Sequence, residues 1–373
     1  MKIKNLIIFY PSFERGGVEM IIKNLIGHLS KKNINIFLIT CKNKNLENIP
    51  KVKNLFFAHP TQKYFRFLPN RFSSAFSCIK PLIKLIKNND QSNTVIHSMQ
   101  SNFIPILIAK ILKIKIIIRN SEDPIESIKY SENKLTSYLI FLLRFIFYNL
   151  SDKIITNSKG SSDSIKKFLL TKNIKNVKYI YNPYLKQINK KIFNKKTKTI
   201  LAAGRLCRQK NFKDLIIAFR NFHMKNPEYK LHIFGDGYEK NMLKDLISSL
   251  KLNNHVFLKG YRKDLKLEYK KAKLFVLPSI YEGLGNVLIE ALNYSVPCIS
   301  TNCKSGPSEI LSYGRGGYIV PIKNIDALTK TLINSISNYD ISIKKMKYGK
   351  KKLNRFLINT QSTKYLEQLN SVL

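Results

Sequence analysis

Two carboxylates, Glu282 and Glu290, stand eight positions apart, with Gly283 and Gly285 close behind the first and an apolar, helix-forming run from Asn286 carrying the second. The strand-like stretch Leu274-Phe275-Val276-Leu277 and then Pro278-Ser279 come just before. The order is strand, tight turn, acid, glycine turn, and a helix with an acid inside it. A helix N-terminus exposes unpaired N–H groups and the positive end of its dipole, which suits a phosphate. An acid ahead of that terminus and another about two turns along can reach other parts of the same ligand. A sugar nucleotide has such parts: sugar hydroxyls, a diphosphate and a ribose.

Cations that could serve the diphosphate lie in Gly204-Arg205-Leu206-Cys207-Arg208-Gln209-Lys210-Asn211, after a strand-like run and before a helical one. Arg205 offers a bidentate fork and Lys210 a point charge; in a chain this basic, both could equally be ordinary surface cations. Gly235-Asp236-Gly237 ends another strand-like run, and a turn needing positive φ explains both glycines. Gly235 could also approach a nucleotide base. Gly16-Gly17-Val18-Glu19 is a glycine loop before a helix, open to phosphate or to close backbone approach, but it lacks the GxGxxG spacing of a dinucleotide fingerprint. His97 ends an apolar run beside Ser98, Gln100 and Asn102, and spacing alone does not choose among them.

Strand-like and helical runs alternate along the chain, which implies parallel sheets covered by helices on both faces. In the first half, strands are expected near residues 5–10, 34–40, 52–57, 94–97, 114–118, 153–156 and 177–181. Helices are expected near 18–29, 103–112, 136–150 and 161–170. Asn182-Pro183 and a lysine-rich stretch follow, and a second alternation begins at Thr199. Residues 1–184 and 199–345 thus form two doubly wound, Rossmann-like domains joined by a linker at 185–198, and 346–373 is a helical tail that could cross back onto the first domain. Ligands of such sheets bind beyond the carboxyl ends of the strands, so two facing domains would share a central cleft.

The 373 residues carry a formal net charge of +42, split as +20 over residues 1–185 and +22 over the rest, so it is not a tail. Nucleic acid, an anionic membrane or a phosphorylated substrate would suit it. An abundance of Lys, Ile and Asn, as an AT-rich gene would give, explains about half of it. The remainder favours an anionic membrane surface. The five cysteines have no CxxC spacing, which indicates reduced thiols and a cytoplasmic location. No Asp-x-Asp and no His/Asp/Glu cluster with metal-ligand spacing occurs, so no metal is expected. No run reaches the ~18–20 apolar residues that span a bilayer, and the N-terminal apolar run fits a buried first strand better than a signal peptide. Residues 138–150 are apolar nearly all round, with Tyr138, Phe141, Phe145 and Tyr148 on one helical stripe. Such a helix is either buried or lies in a membrane interface, and burial is the favoured expectation.

Taken together, Gly204-Arg205…Lys210-Asn211, Gly235-Asp236-Gly237, Pro278-Ser279…Glu282-Gly283…Glu290-Ala291 and Ser305-Gly306-Pro307-Ser308-Glu309-Ile310 resemble the motifs of the retaining family-4 glycosyltransferases of GT-B fold. Gly16-Gly17-Val18-Glu19, Asn157-Ser158 and Asn182-Pro183 look like the family's first half, and the Ser-Gly-Pro-Ser-Glu run is similar to bacterial members that build surface polysaccharides or lipid-linked oligosaccharides. The resemblance implies that Glu282 attends the donor sugar, Glu290 the ribose hydroxyls, and Arg205 and Lys210 the diphosphate. Backbone N–H groups of Gly283, Leu284, Gly285, Asn286 and Val287 would complete the phosphate site, with Gly16 and Gly17 facing it from the acceptor side. Many members have a histidine near the position of His97. The implied activity is metal-independent transfer, with retention and without a cofactor, of a hexose or N-acetylhexosamine. The donor would be a nucleotide sugar, a UDP-sugar, and the acceptor a lipid-linked glycan at the inner membrane face. A GT-B nucleotide-sugar epimerase and a basic nucleic-acid binder remain as alternatives.

Overall fold

The structure, a computed structural model, describes residues 2–12, 17–41, 49–60, 70–131, 133–190 and 197–373. The chain divides into two compact units: Met1–Lys186 with Arg355–Leu373, and Gln187–Asn354.

In unit 1 the strands are β1 (Asn5–Phe9), β2 (Asn35–Ile39), β3 (Leu55–Ala58), β4 (Thr94–Ser98), β5 (Lys115–Asn120), β6 (Lys153–Thr156) and β7 (Val177–Tyr179). They pair in parallel in the order β3-β2-β1-β4-β5-β6-β7. The direction of winding reverses between β1 and β4. The helices are α1 (Gly17–Leu29), α2 (Asn70–Ser77), α3 (Ile79–Lys87), α4 (Phe103–Ile111), α5 (Pro124–Lys129), α6 (Lys134–Tyr148) and α7 (Lys159–Lys166). Along β1, Leu6 and Ile8 enter one buried cluster, and Ile7 and Phe9 the cluster on the opposite face. Burial on both faces is why the central strands are unbroken apolar runs rather than alternating ones.

Unit 2 has β8 (Thr199–Ala203), β9 (Lys230–Phe234), β10 (Val256–Leu258), β11 (Leu274–Leu277), β12 (Cys298–Thr301) and β13 (Tyr318–Val320). Their order is β10-β9-β8-β11-β12-β13, again parallel, with the reversal between β8 and β11. The helices are α8 (Phe212–His223), α9 (Lys240–Ser249), α10 (Lys266–Lys271), α11 (Asn286–Asn293), α12 (Pro307–Ile310), α13 (Ile325–Ser337) and α14 (Tyr339–Lys351). Phe212, Phe219 and Phe222 bring one face of α8 onto Ile200, Leu231 and Val276 of the sheet. Burying such side chains contributes about 1.5–3 kcal/mol each.

The last helix, α15 (Ile358–Asn370), belongs to unit 1 and packs on α1. The Ile3 amide donates to Asn370 Oδ1 at 2.9 Å. The guanidinium of Arg119, 1 % exposed on β5, donates from Nε to Tyr365 Oη at 3.1 Å and from Nη2 to Asn182 Oδ1 at 2.6 Å.

The expectation that residues 138–150 are buried is corrected. Leu135, Tyr138, Leu139, Leu142, Phe145 and Ile146 of α6 are exposed, Leu135 by 83 %. The expected stripe is split: Tyr148 is buried and Phe141 packs at 5.0 Å on Phe168, while Tyr138 and Phe145 face out. The reason is that α6 rests by one side on α4, α5 and the end of α7, and among the described residues nothing lies on its other side. Also among the described residues, no helix is long and apolar enough to cross a membrane.

Candidate active site

In unit 2 the loops that leave β8 and β11 meet at the point where the winding reverses, which is where open α/β sheets place their ligands. The loops are joined by backbone bonds through one residue. Gln209 accepts from the Ile280 amide at 2.8 Å, and its side-chain amide donates to the Tyr281 carbonyl at 2.9 Å. Arg205, which is exposed, donates from Nη2 to Gln209 Oε1 at 3.3 Å.

Lys210 crosses from the first loop and ion-pairs with Glu282 Oε1; the two side chains are only 14 % and 8 % exposed. The Ser279 hydroxyl donates to the same carboxylate oxygen at 2.7 Å. Gly204 makes this crossing possible, because a Cβ there would stand 3.2 Å from Lys210 Cδ and 3.3 Å from Cε, where the lysine stem now lies. The pair is held at low exposure, where charges interact more strongly than in water. Opposite charges in contact also leave the pair nearly neutral.

Immediately after Glu282, Gly285 caps α11 with φ 90°, a conformation that side chains other than glycine rarely adopt. The cap points the first amides of α11, those of Asn286 and Val287, out of the helix's own bonding pattern. Glu290 lies a turn further along α11 and is half-buried. Glu282 and Glu290 thus flank the start of α11. Gly283 and Leu284 are buried in the turn between them.

Gly235 lies beside this arrangement, since its amide is one residue past β9 and a Cβ on it would fall 1.8 Å from the Gly204 carbonyl. It does have positive φ, 147°. Gly237 does not, contrary to the expectation for both. Its requirement is close approach: a Cβ would lie 2.3 Å from the Leu206 carbonyl. Glu309, in the Ser-Gly-Pro-Ser-Glu run, is buried and accepts from the Gly306 amide at 3.3 Å, closing the turn before α12.

The first-half candidates are placed in unit 1. Gly17 is the exposed first residue of α1, and Gly16 lies outside the described residues. His97, on β4, is 1 % exposed. Its Nδ1 lies 3.3 Å from the Ile117 carbonyl, its ring centroid lies 5.6 Å from that of Tyr365, and its Nε2 has no hydrogen-bond partner. Burial, opposed by the Ile117 hydrogen bond and assisted by the nearby Arg119 charge, pushes its pKa down to about 4.

Two residues that position the pair were given no role from the sequence: Ser279, in the Pro278-Ser279 step before Glu282, and Gln209, beside Lys210. Thr301 and Cys303 donate in turn to the Ser279 carbonyl, Cys303 at 3.2 Å, which holds the turn before Glu282. Among the described residues, no group of three or more His, Cys, Asp or Glu side chains could hold a metal ion.

The chain thus has two parallel doubly wound sheets, one carrying an acid–cation–glycine cluster at its reversal point. Residues 15–184 match the model of Glycosyltransferase Family 4 and residues 184–353 that of Glycosyl transferases group 1, so the chain belongs to the glycosyltransferases built from these two domains. It is 28 % identical over 98 % of its length, and the whole of the relative's, to a Campylobacter jejuni protein. That relative is the N-acetylgalactosamine-N,N'-diacetylbacillosaminyl-diphospho-undecaprenol 4-alpha-N-acetylgalactosaminyltransferase. It is 36 % identical over 62 % of its length to an uncharacterised glycosyltransferase of Methanocaldococcus jannaschii, a match spanning 60 % of that relative. The structure of Anabaena HepE in complex with UDP and glucose superposes with a TM-score of 0.77 at 16 % identity, over 99 % of this chain and all of that one. The fold is GT-B.

Proposed function

We infer that this glycosyltransferase moves a hexose or N-acetylhexosamine from a UDP-sugar to a growing, lipid-linked bacterial surface glycan, with retention at the anomeric carbon and without a metal. The observation that carries the reading is the Lys210–Glu282 pair, set at the sheet's reversal point beside the amides that open α11. Departure of a nucleotide diphosphate builds negative charge on its oxygens and positive charge on the sugar. Lys210, Arg205 and the α11 amides stabilise the first where it develops. Glu282 receives the sugar hydroxyls and steers the reacting face, and Glu290 holds the ribose. An acceptor bound alongside gains from proximity. HepE, whose structure holds UDP and glucose, supports the choice of donor, and the undecaprenol-linked acceptor named for the Campylobacter relative supports the choice of acceptor. A lipid-linked acceptor puts the work at the inner face of the plasma membrane, reached from the cytoplasm.

We infer also that His97 braces β4 against β5 and α15 rather than touching substrate, because its ring is buried.

The test is a panel of nucleotide sugars, read first as thermal stabilisation, since a bound donor raises the unfolding midpoint by linkage. The stabilising donor is then supplied radiolabelled with undecaprenyl-linked acceptor in EDTA. Label in the lipid fraction, with the donor's anomeric configuration kept, is the expected result. A labelled epimer with no transfer would make the protein an epimerase, and a requirement for added divalent cation would remove the metal-free part of the reading.

A further inference from the structure

Past its first turn, the exposed side of α6 is apolar. Leu135, Tyr138, Leu139, Leu142, Phe145 and Ile146 recur at helical spacing and are 38–83 % exposed, and Leu150 just beyond the helix is 42 % exposed. Its neighbour α4 adds Leu107 and Ile111, 49 % and 68 % exposed. These two helices touch through Phe103 and Phe147, whose ring centroids are 5.5 Å apart. A face this long is more than the scattered single apolar residues of an ordinary surface.

Both ends of the stripe are basic. At its start, Lys134 donates from Nζ to the carbonyls of Ile128 and Lys129, 3.1 and 2.6 Å away, so Lys129 and Lys134 stand together. At its end, Lys110 and Lys115 both approach Asp152, two residues past Leu150, at 3.8 and 3.6 Å. Lys110, Lys113, Lys115, Lys129 and Lys134 are all exposed. The described acids between α4 and β6 are not: Asp123 and Glu126 are buried, and Glu122 and Asp152 are half-buried and matched by Arg144 and by the two lysines. Neither α4 nor α6 contains an acidic residue.

We propose that this face of α4 and α6 is the surface by which the protein lies on an anionic lipid bilayer. The leucines and aromatics enter the boundary between headgroups and acyl chains, and the terminal lysines meet the anionic headgroups. The apolar area sets the depth of an interfacial helix and basic residues add the attraction to anionic lipid; each such lysine strengthens binding by roughly fivefold. A second copy of the chain is the less fitting occupant, because it would bring the same lysines against themselves. The inference deepens the peripheral location proposed above but stands on unit 1, and it is tested without sugar transfer, so the two can fail separately.

The experiment is flotation of the full chain at low salt with phosphatidylcholine vesicles, with and without phosphatidylglycerol. The wild-type protein should float with the phosphatidylglycerol vesicles and much less with phosphatidylcholine alone. Leu139→Glu with Leu142→Glu should weaken binding at least about tenfold. Its thermal midpoint should be unchanged, since both side chains already face solvent. Leu107→Glu with Ile111→Glu is a second, independent pair with the same expected outcome. Met224→Glu, at an exposed apolar residue of unit 2, should bind as wild type does. Undiminished flotation of both stripe variants would overturn the proposal, as would failure of the wild type to bind anionic vesicles. A dimer that the stripe variants dissociate, and that ignores vesicles, would assign the face to a second copy instead.

Discussion

The two sheets reverse their winding in the same way, between β1 and β4 in unit 1 and between β8 and β11 in unit 2, yet the two reversal points are chemically unlike. In unit 2 a cation and an anion meet across two loops, the pair on which the proposed donor site rests. In unit 1 most of the polar groups near the reversal bond to one another, His97 Nε2 being an exception. Tyr10 Oη donates to Glu19 at 2.8 Å, Ser98 Oγ to Asn102 Oδ1 at 2.7 Å, and Asn102 Nδ2 to the Arg119 carbonyl at 3.1 Å. One topology therefore carries two arrangements: a cross-loop ion pair at one reversal point and a network of hydrogen-bonded side chains at the other.

The comparison is broken most directly at Lys210. Lys210→Ala should lower kcat/KM by about a hundred- to a thousandfold, as loss of one preorganised charge-stabilising group does. It also strands a poorly exposed carboxylate, so the cleaner variant is Lys210→Met with Glu282→Gln. Removing both charges avoids the stranded ion, and this double variant should melt close to wild type while staying inactive. Full activity in either would return the two reversal points to equality.

A smaller effect concerns acid stability in unit 1. The folded-state pKa of His97, pushed down to about 4, lies below the unfolded value near 6.5. The unfolded chain therefore takes up a proton that the folded one refuses, and stability falls as pH drops from about 6.5 to about 4, by about 3 kcal/mol in all. Urea titrations across that window should show His97→Gln with a shallower slope than wild type. An identical slope would mean that the ring is reachable by water and open to a direct role in transfer.

Smallest of the three is Tyr365→Phe, which takes the partner from Arg119 Nε inside unit 1. A buried donor left unmet costs about 1–3 kcal/mol, so the urea midpoint should fall while KM for the donor stays put. A changed donor KM would show that the unit 1 network reaches the nucleotide after all.

How far the sequence exposes this structure depends on what carries each element. Strands buried on both faces, such as β11 and most of β1, are plain as apolar runs because both of their sides face packed apolar side chains. The acid pair and glycine turn of the site are plain for a similar reason, since each is a short run with one backbone solution. Three helices of unit 1 escape notice. The eight residues of α2 are rich in serine, and α3 has a proline in its first turn. The six-residue α5 did offer a signal, Asp123-Pro124, where the Asp123 carboxylate accepts from the amides of Ile125 and Glu126 at 3.1 and 3.0 Å. The role of Gln209 was invisible because it acts between loops some seventy residues apart, and that of Ser279 because a serine three residues before an acid is too common a pattern to single out. The wrong expectation for α6 has another cause: apolar content tells that a face avoids water, not whether protein or something else covers it.

The discontinuity of unit 1 bears on how the protein is made. Synthesis runs from the N-terminus, so a ribosome delivers all of Gln187–Asn354 before the first residue of Arg355–Leu373 appears. Unit 2 can be complete at that moment. Unit 1, though begun first, still lacks the helix that covers α1 and the tyrosine that receives the Arg119 guanidinium. The domain translated first is thus the last to close, and through the translation of unit 2 the part of α1 that α15 covers has no partner from the chain already made.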